Sequence, residues 1–195
     1  QALTRASVRS LAELARSGER PLAEVVDEKA IVNAMAGLLA TGGSTNHFIH
    51  LPAIARAAGI LIDWQDFAEL SKAVPLVTRV YPNGQKDVND FHDAGGMAFV
   101  TYTLGREGLI HMDRLTAGAD SMDAWIANPE IHGDELIWKP AEESADVDML
   151  RPASDPFQAN GGLRLLQGNL GRAVTKISAV DPDNWTIEDP ARSFS

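Results

Sequence analysis

Residues 40–51 read ATGGSTNHFIHL. Two glycines ahead of a helix start let backbone N–H groups turn toward one point, where the helix dipole adds positive potential. Ser44, Thr45 and Asn46 add side-chain donors and acceptors at the same place. Such a spot can hold a carboxylate, a phosphate or sugar hydroxyls. It can equally be a joint between helices, with a C-cap and an N-cap side by side, and spacing alone favours the joint. His47 and His50 are three apart, and Asn46 and His50 four apart, so each pair can share a helix face. No nearby carboxylate or third histidine completes a tetrahedral set, so a metal is not expected there. A buried His50 satisfied by hydrogen bonds is the plainer expectation, with a role in orienting a substrate second.

Two further groups have chemical potential. DVNDFHDAGG puts Asp87, Asp90, His92 and Asp93 within one or two helical turns. Carboxylates beside an imidazole can do acid–base work, but a capped, solvated helix face reads the same way. GGLRLLQGNLGR is glycine-rich without the spacing of either nucleotide-phosphate loop, so nucleotide binding gains no support. Its Arg164 and Arg172, with Lys176, are the one positive cluster beside a glycine-rich turn. Guanidinium forks suit bidentate recognition of phosphate or carboxylate; exposed surface arginines are the ordinary alternative. By motif physics alone this is an α/β protein with an anion or polyol site as its best candidate feature.

The elements that must hold these groups follow from periodicity. Leu3, Val8, Leu11 and Leu14 recur at helical spacing, and Gly18 supplies a stop. Asp27 is placed to cap a helix carrying Ile31, Met35, Leu38 and Leu39 on one face, ended by Thr41-Gly42-Gly43. Ser44 or Thr45 can cap the next helix, which runs to Gly59 with Pro52 inside it and a kink expected there. Gly59–Ile62 reads as a short buried strand. Asp63 caps a helix that Pro75 halts, LVTRV reads as a strand, and Asn83-Gly84 suits a positive-φ turn. Helices from Asp87 and over MAFVTYTLGREG follow. Near Gly133 helical periodicity gives way to LIWK, a charged loop and the alternating AVTKISAV, read as a strand.

Bulk numbers exclude several classes. The 195 residues are enough to bury a substantial core. With 45% hydrophobic and 23% charged residues the balance is that of a globular protein. A formal net charge of −10 argues against nucleic acid, which needs clustered Lys and Arg. No apolar run has the length to cross a bilayer, so no membrane role is expected, and no export signal opens the chain. Cysteine is absent, which removes disulfides, thiolate catalysis and cysteine-held clusters from this chain. It opens at Gln1 within a helical pattern and stops at ARSFS without a closing element, the expected look of an interior piece of something longer.

The order of three long segments goes further than any one motif. DEKAIVNAMAGLLATGGSTNHFIHLPAIARAAGI, then DFAELSKAVPLVTRVYPNGQKDVNDFHDAGGMA, then LRPASDPFQANGGLRLLQGNLGRAVTKISAV resembles the dihydroxy-acid dehydratase/6-phosphogluconate dehydratase family, in the same order and approximate spacing. His47 after GGSTN, YPNG before DVNDFHDAGG, and Arg164 and Arg172 in the glycine-rich segment bring it closer to the phosphogluconate branch. An extra arginine pair suits a substrate bearing a phosphate as well as a carboxylate.

The resemblance implies an α/β fold in which residues 1–134 end a cluster-bearing α/β domain. Residues 135–195 would be a linker and the first strands of a β-barrel-like C-terminal domain. It implies a hydro-lyase of the Entner–Doudoroff pathway, converting 6-phosphogluconate to 2-keto-3-deoxy-6-phosphogluconate with an iron–sulfur cluster of 4Fe–4S type. The family's cysteine motifs would lie upstream and its proposed catalytic serine downstream, so neither cluster ligand nor catalytic residue falls on this chain, which alone would be inactive. Ser44, Thr45, Asn46 and His50 then become candidates to line or support the substrate cleft, with Arg164 and Arg172 as further substrate contacts. A homodimeric, cytoplasmic, oxygen-sensitive parent is also implied. The rival readings are a dehydratase of the same family acting on a dihydroxy acid or an unphosphorylated aldonic acid, and a non-catalytic sugar-acid-binding domain.

Overall fold

The computed structural model describes residues 1–133, 135–188 and 190. Helices fill the first part: α1 (Ala2–Ser17), α2 (Leu22–Val25), α3 (Glu28–Thr41), α4 (His47–Ala57), α5 (Trp64–Leu70), α6 (Val88–Asp93) and α7 (Gly96–Arg106). Two antiparallel hairpins follow, β1 (Ala127–His132) with β2 (Glu135–Pro140), and β3 (Arg164–Gly168) with β4 (Gly171–Thr175). No helix among the described residues is long and apolar enough to cross a membrane.

The core forms around α3. Asp27 caps it as expected, accepting from the Ala30 N–H at 2.8 Å, and Ile31, Met35, Leu38 and Leu39 are buried as their spacing predicts. Ala36 and Ala40 are buried too, so small side chains let neighbours close on a second face of the helix. Those neighbours include Phe48 and Leu51 of α4, Phe67 of α5, and Phe99, Val100 and Leu104 of α7. Burying each large apolar side chain stabilises by about 1.5–3 kcal/mol relative to leaving it in water. Met149, Leu150 and Leu163 join the same cluster, so the later part of the chain is sewn into the helical core.

The seam is the segment Leu76–Val80, where a strand was expected. It is extended and buried from Leu76 to Thr78, with Arg79 exposed, but it forms isolated bridges in place of a regular ladder. Leu76 exchanges backbone bonds with Phe157 and Gln158, both at 2.9 Å. Arg79 donates to the Met149 carbonyl at 2.8 Å and Arg151 donates to the Val77 carbonyl at 2.9 Å. Two short segments share this one, so neither supplies the run of paired residues a sheet needs.

Several other expectations are corrected. Gly59–Ile62 is a loop, with Leu61 84% exposed. The N–H groups of Gly59 and Ile60 are taken by the Arg56 and Ala55 carbonyls at the end of α4, leaving no room for a strand before Asp63 caps α5. α5 itself ends at Leu70 and unwinds through turns ahead of Pro75. The strand expected across AVTKISAV stops at Thr175, and Ile177–Ala179 is a 3₁₀ turn. Neither Asn83 nor Gly84 has positive φ. Gly84 is required by close approach instead, since a Cβ there would lie 2.2 Å from the Arg79 carbonyl oxygen. α1 forms over its predicted span, yet Leu3, Val8 and Leu11 remain exposed.

Pro52 cannot donate to the Phe48 carbonyl inside α4. The indole N–H of Trp64 donates to that carbonyl instead, at 2.9 Å. The first residue of α5 thereby anchors the first turn of α4, and Phe48 stacks on Phe67 at 4.2 Å between ring centroids.

Candidate functional site

A helix leaves its last four carbonyls without intrahelical partners. At the end of α3 they are taken up by the adjoining Gly43 and by residues from distant parts of the chain. The Gly43 N–H donates to Leu38 at 3.0 Å, Gly162 to Leu39 at 2.9 Å, and Val77 to Ala40 at 2.8 Å. The Thr78 hydroxyl donates to Thr41 at 2.9 Å, and the Asn83 amide donates to Gly42 at 3.1 Å. Gly42 turns the chain with φ 55°. Ser178 completes the junction, its hydroxyl donating to the Asn83 side-chain oxygen at 2.9 Å and its N–H to the Gly162 carbonyl at 3.2 Å. Gly161 donates to the Ser71 carbonyl at 2.8 Å, which ties the turn after α5 into the same place.

This junction launches the loop that carries Ser44, Thr45 and Asn46. The expected cap from Ser44 or Thr45 is not made; Asn46 occupies the N-cap position without a side-chain cap bond. The first-turn N–H groups do not turn outward to a ligand either. His47, Phe48 and Ile49 donate to the carbonyls of Ser44, Thr45 and Asn46 at 3.0–3.1 Å. The first-turn N–H groups of α4 are therefore taken up within the chain. What the loop offers is side chains: Ser44, Asn46 and His50 are exposed and Thr45 is half-buried. His50 is not the buried histidine expected from its setting. It faces His47 edge-on at 6.3 Å between ring centroids, and His47 Nδ1 lies 3.1 Å from the Ser44 carbonyl oxygen. Hydroxyl, amide and imidazole groups thus gather at one exposed end of α4, a set suited to the hydroxyls of a polyol.

Arg164 and Arg172 do not join as a pair. Arg164 is registered opposite Thr175 and Arg172 opposite Gln167, so alternation puts the two side chains on opposite faces of the β3–β4 hairpin. Arg172 stands 5.8 Å from the Trp64 ring, the same indole that holds the first turn of α4. Arg164 stands 5.9 Å from the Trp185 ring and lines a cavity of about 260 Å³ with Ala68, Ser71, Lys72 and Asn160. Lys176, the third member of the expected cluster, is half-buried, and burial pushes its ammonium pKa down.

In DVNDFHDAGG, two of the acids are committed to structure. Asp87 and Asp90 make a reciprocal capping box at the start of α6. His92 and Asp93 line a cleft of about 290 Å³ together with Asn128, Glu130, Lys139 and Glu143. The β1–β2 side chains in that cleft were missed from sequence because no motif or periodicity links them to α6. Asn128 closes the contact by donating to the Gly95 carbonyl at 2.8 Å.

The N-terminal end of α3 is set by charge. Asp27 caps the helix and pairs with Arg114, which also meets Asp113, and Asp113 pairs with Lys29 at 3.3 Å. The Ala30 N–H first, and then the Arg114 guanidinium, hold the Asp27 carboxyl below its ordinary pKa. A depressed carboxylate pKa contributes stability above the unfolded value, and that contribution is lost as pH falls through the folded value. Asp27→Asn keeps a capping oxygen and removes the charge. It is expected to destabilise the protein at neutral pH, with the difference shrinking toward zero below about pH 3.8 in acid-unfolding curves. A difference unchanged down to pH 2 would show that the charge contributes nothing.

Comparison with known proteins places the chain in a family. Residues 1–125 match the family model described as dihydroxy-acid/6-phosphogluconate dehydratase N-terminal, and residues 148–195 match its C-terminal counterpart. A phosphogluconate dehydratase of Zymomonas mobilis is 54% identical over 100% of this chain and 33% of its own length. That of Escherichia coli K12 is 44% identical over 99% of this chain and 32% of its own length. A dihydroxy-acid dehydratase of Koribacter versatilis is 35% identical over 93% of this chain and 30% of its own length. The chain spans about a third of the length of these curated relatives.

Proposed function

The chain belongs to the dihydroxy-acid/6-phosphogluconate dehydratase family, and on that premise we propose that it is part of a hydro-lyase acting on 6-phosphogluconate. The observation that carries the substrate is the gap in similarity: relatives named phosphogluconate dehydratase reach 44–54% identity, against 35% for the dihydroxy-acid dehydratase. The reaction takes the C2 proton and the C3 hydroxyl as water, leaving an enol that tautomerises to 2-keto-3-deoxy-6-phosphogluconate.

In this reading Ser44, Thr45, Asn46 and His50 contact or support the polyol chain of the substrate, with Arg172 beside them across Trp64. Arg164, on the other face of its hairpin, acts separately. None of these residues is assigned the proton abstraction. The iron–sulfur cluster associated with the family would supply Lewis-acid assistance to the departing hydroxyl. This chain's residues do not fit as its ligands: cysteine is absent, and no group of three or more metal-capable side chains occurs among the described residues. We therefore assign any cluster to other parts of the full-length protein. In the same reading residues 1–134 end an α/β domain and residues 135–195 begin a β-rich one, with the β1–β2 hairpin straddling the division.

The full-length protein, purified without oxygen and with its cluster reconstituted, is expected to form 2-keto acid from 6-phosphogluconate at least tenfold faster, in kcat/KM, than from gluconate or 2,3-dihydroxyisovalerate. Preference for either unphosphorylated acid would overturn the substrate while keeping the dehydration. No product from any of the three would remove the enzymatic reading in favour of a sugar-acid-binding domain.

A further inference from the structure

The arginines expected to form a pair are separated by strand register, but two others converge. Arg79 lies with its guanidinium carbon 4.4 Å from the centre of the Phe157 ring, and Arg151 lies 4.6 Å from the same centre. Both distances are within the range in which a cation is held by an aromatic face. Among the described residues neither guanidinium has a carboxylate partner, although acids outnumber bases 27 to 17 in this chain. Arg20, Lys29, Lys86 and Lys139 each have one and Arg114 has two. The Arg151 Nε donates to the Val147 carbonyl at 3.1 Å, and among the described residues no acceptor meets the remaining N–H groups of Arg151 or those of Arg79.

From this convergence we infer that Arg79, Arg151 and Phe157 form a binding site for a phosphate monoester or an oxyanion of the same shape and charge. A guanidinium stacked on a ring keeps its in-plane N–H edge free, and that edge matches two oxygens of a phosphate. Two such edges beside one ring can grip a dianion from two directions. Two positive charges on one ring, with no carboxylate paired to either among the described residues, are countered when the anion arrives.

The site is also built in advance. The three residues hang from the bonded backbone patch at Leu76–Val80, where Arg79 is tied to Met149, Arg151 to Val77 and Phe157 to Leu76 at 2.8–2.9 Å. Leu76, Val77 and Thr78 are fully buried, and the Gly84 turn packs on the Arg79 carbonyl. The backbone beneath the three side chains has little freedom left to lose on binding, which lowers the cost of holding a small anion.

The inference rests on this geometry and does not require the proposed reaction. Two sources of phosphate would fit: the phosphorylated end of a substrate, or a separate phosphate-bearing effector. Binding of inorganic phosphate to the full-length protein, measured by ³¹P line broadening at constant ionic strength, is the direct test. Saturable binding is expected, weakened at least tenfold by Arg79→Ala or Arg151→Ala. The double variant Arg79→Lys/Arg151→Lys keeps charge and stem packing but lacks the planar fork, and it too is expected to weaken binding severalfold. Phosphate binding that is absent, or unchanged in the double lysine variant, would overturn the site and leave a surface stack.

If Arg151→Ala raises KM for 6-phosphogluconate and not for gluconate, the anion is the substrate's own phosphate. If it weakens phosphate binding and leaves both KM values alone, the anion is an effector. Phosphate binding with the expected pattern in a protein that dehydrates none of the three acids would uphold the site and sink the reaction.

Discussion

Phe67→Ala is expected to lower the stability of the full-length protein by about 3–5 kcal/mol. Phe67 is 0% exposed and stacks on Phe48, so its removal leaves a cavity against α3 and α4 that backbone-bonded neighbours cannot collapse to fill. The loss reaches function through a short path. Phe48 sits in the first turn of α4, the turn that presents Asn46 and His50 and that Trp64 holds by its carbonyl. With the ring gone, that turn loses its packing while keeping one hydrogen bond. Phe67→Leu restores most of the volume and is expected to cost less than half as much. The comparison is read from denaturant midpoints, with KM for 6-phosphogluconate measured on whatever folds. A cost below 1 kcal/mol for the alanine variant would mean the α4–α5 contact is not what holds this end of α4.

Gly162→Ala is expected to cost about 3 kcal/mol or more, or to prevent soluble folding. A Cβ at Gly162 would lie 2.6 Å from the Gly42 Cα and 2.9 Å from both the Leu76 side chain and the Ser178 hydroxyl. Neither backbone can retreat. Gly162 is bonded to Leu39, and Gly42 is held at φ 55° by the end of α3 and the Asn83 amide. Gly105→Ala is the control, because its Cβ would also meet an atom at 2.6 Å. There the neighbour is the Met112 sulfur, the far part of a flexible side chain, and the site lies inside α7, where alanine is the better helix former by about 0.5–1 kcal/mol. Thermal unfolding of the two variants side by side should separate them by at least 2 kcal/mol in effect. Equal effects would mean that the two glycine doublets are not in backbone contact.

The α3 junction shows why the glycine motifs were legible only in part. Gly42 was readable as a helix stop, because a left-handed C-cap is a local requirement that the residue type announces. Gly162 announces nothing locally. Its reason is a backbone more than a hundred positions earlier, and only the fold brings the two together. The same division runs through the candidate site. Asp27, Asp63 and Asp87 were readable as caps, since each acts on N–H groups two or three residues away. His50 was expected to be buried and is exposed, because which face of α4 meets the core depends on where α5 docks.

By itself, then, the sequence determined where most of the helices lie, the caps at Asp27, Asp63 and Asp87, the buried face of α3 and membership of a dehydratase family, all of them carried by short-range spacing or by residue order. Tertiary structure alone decided which charges meet. Strand register sent Arg164 and Arg172 to opposite faces of one hairpin, while backbone bonds between Leu76–Val80 and two later segments brought Arg79 and Arg151 onto one ring. The physical reason is range: a cap or a helical face is settled within one or two turns of chain, whereas the meeting of two guanidiniums depends on every element packed between them.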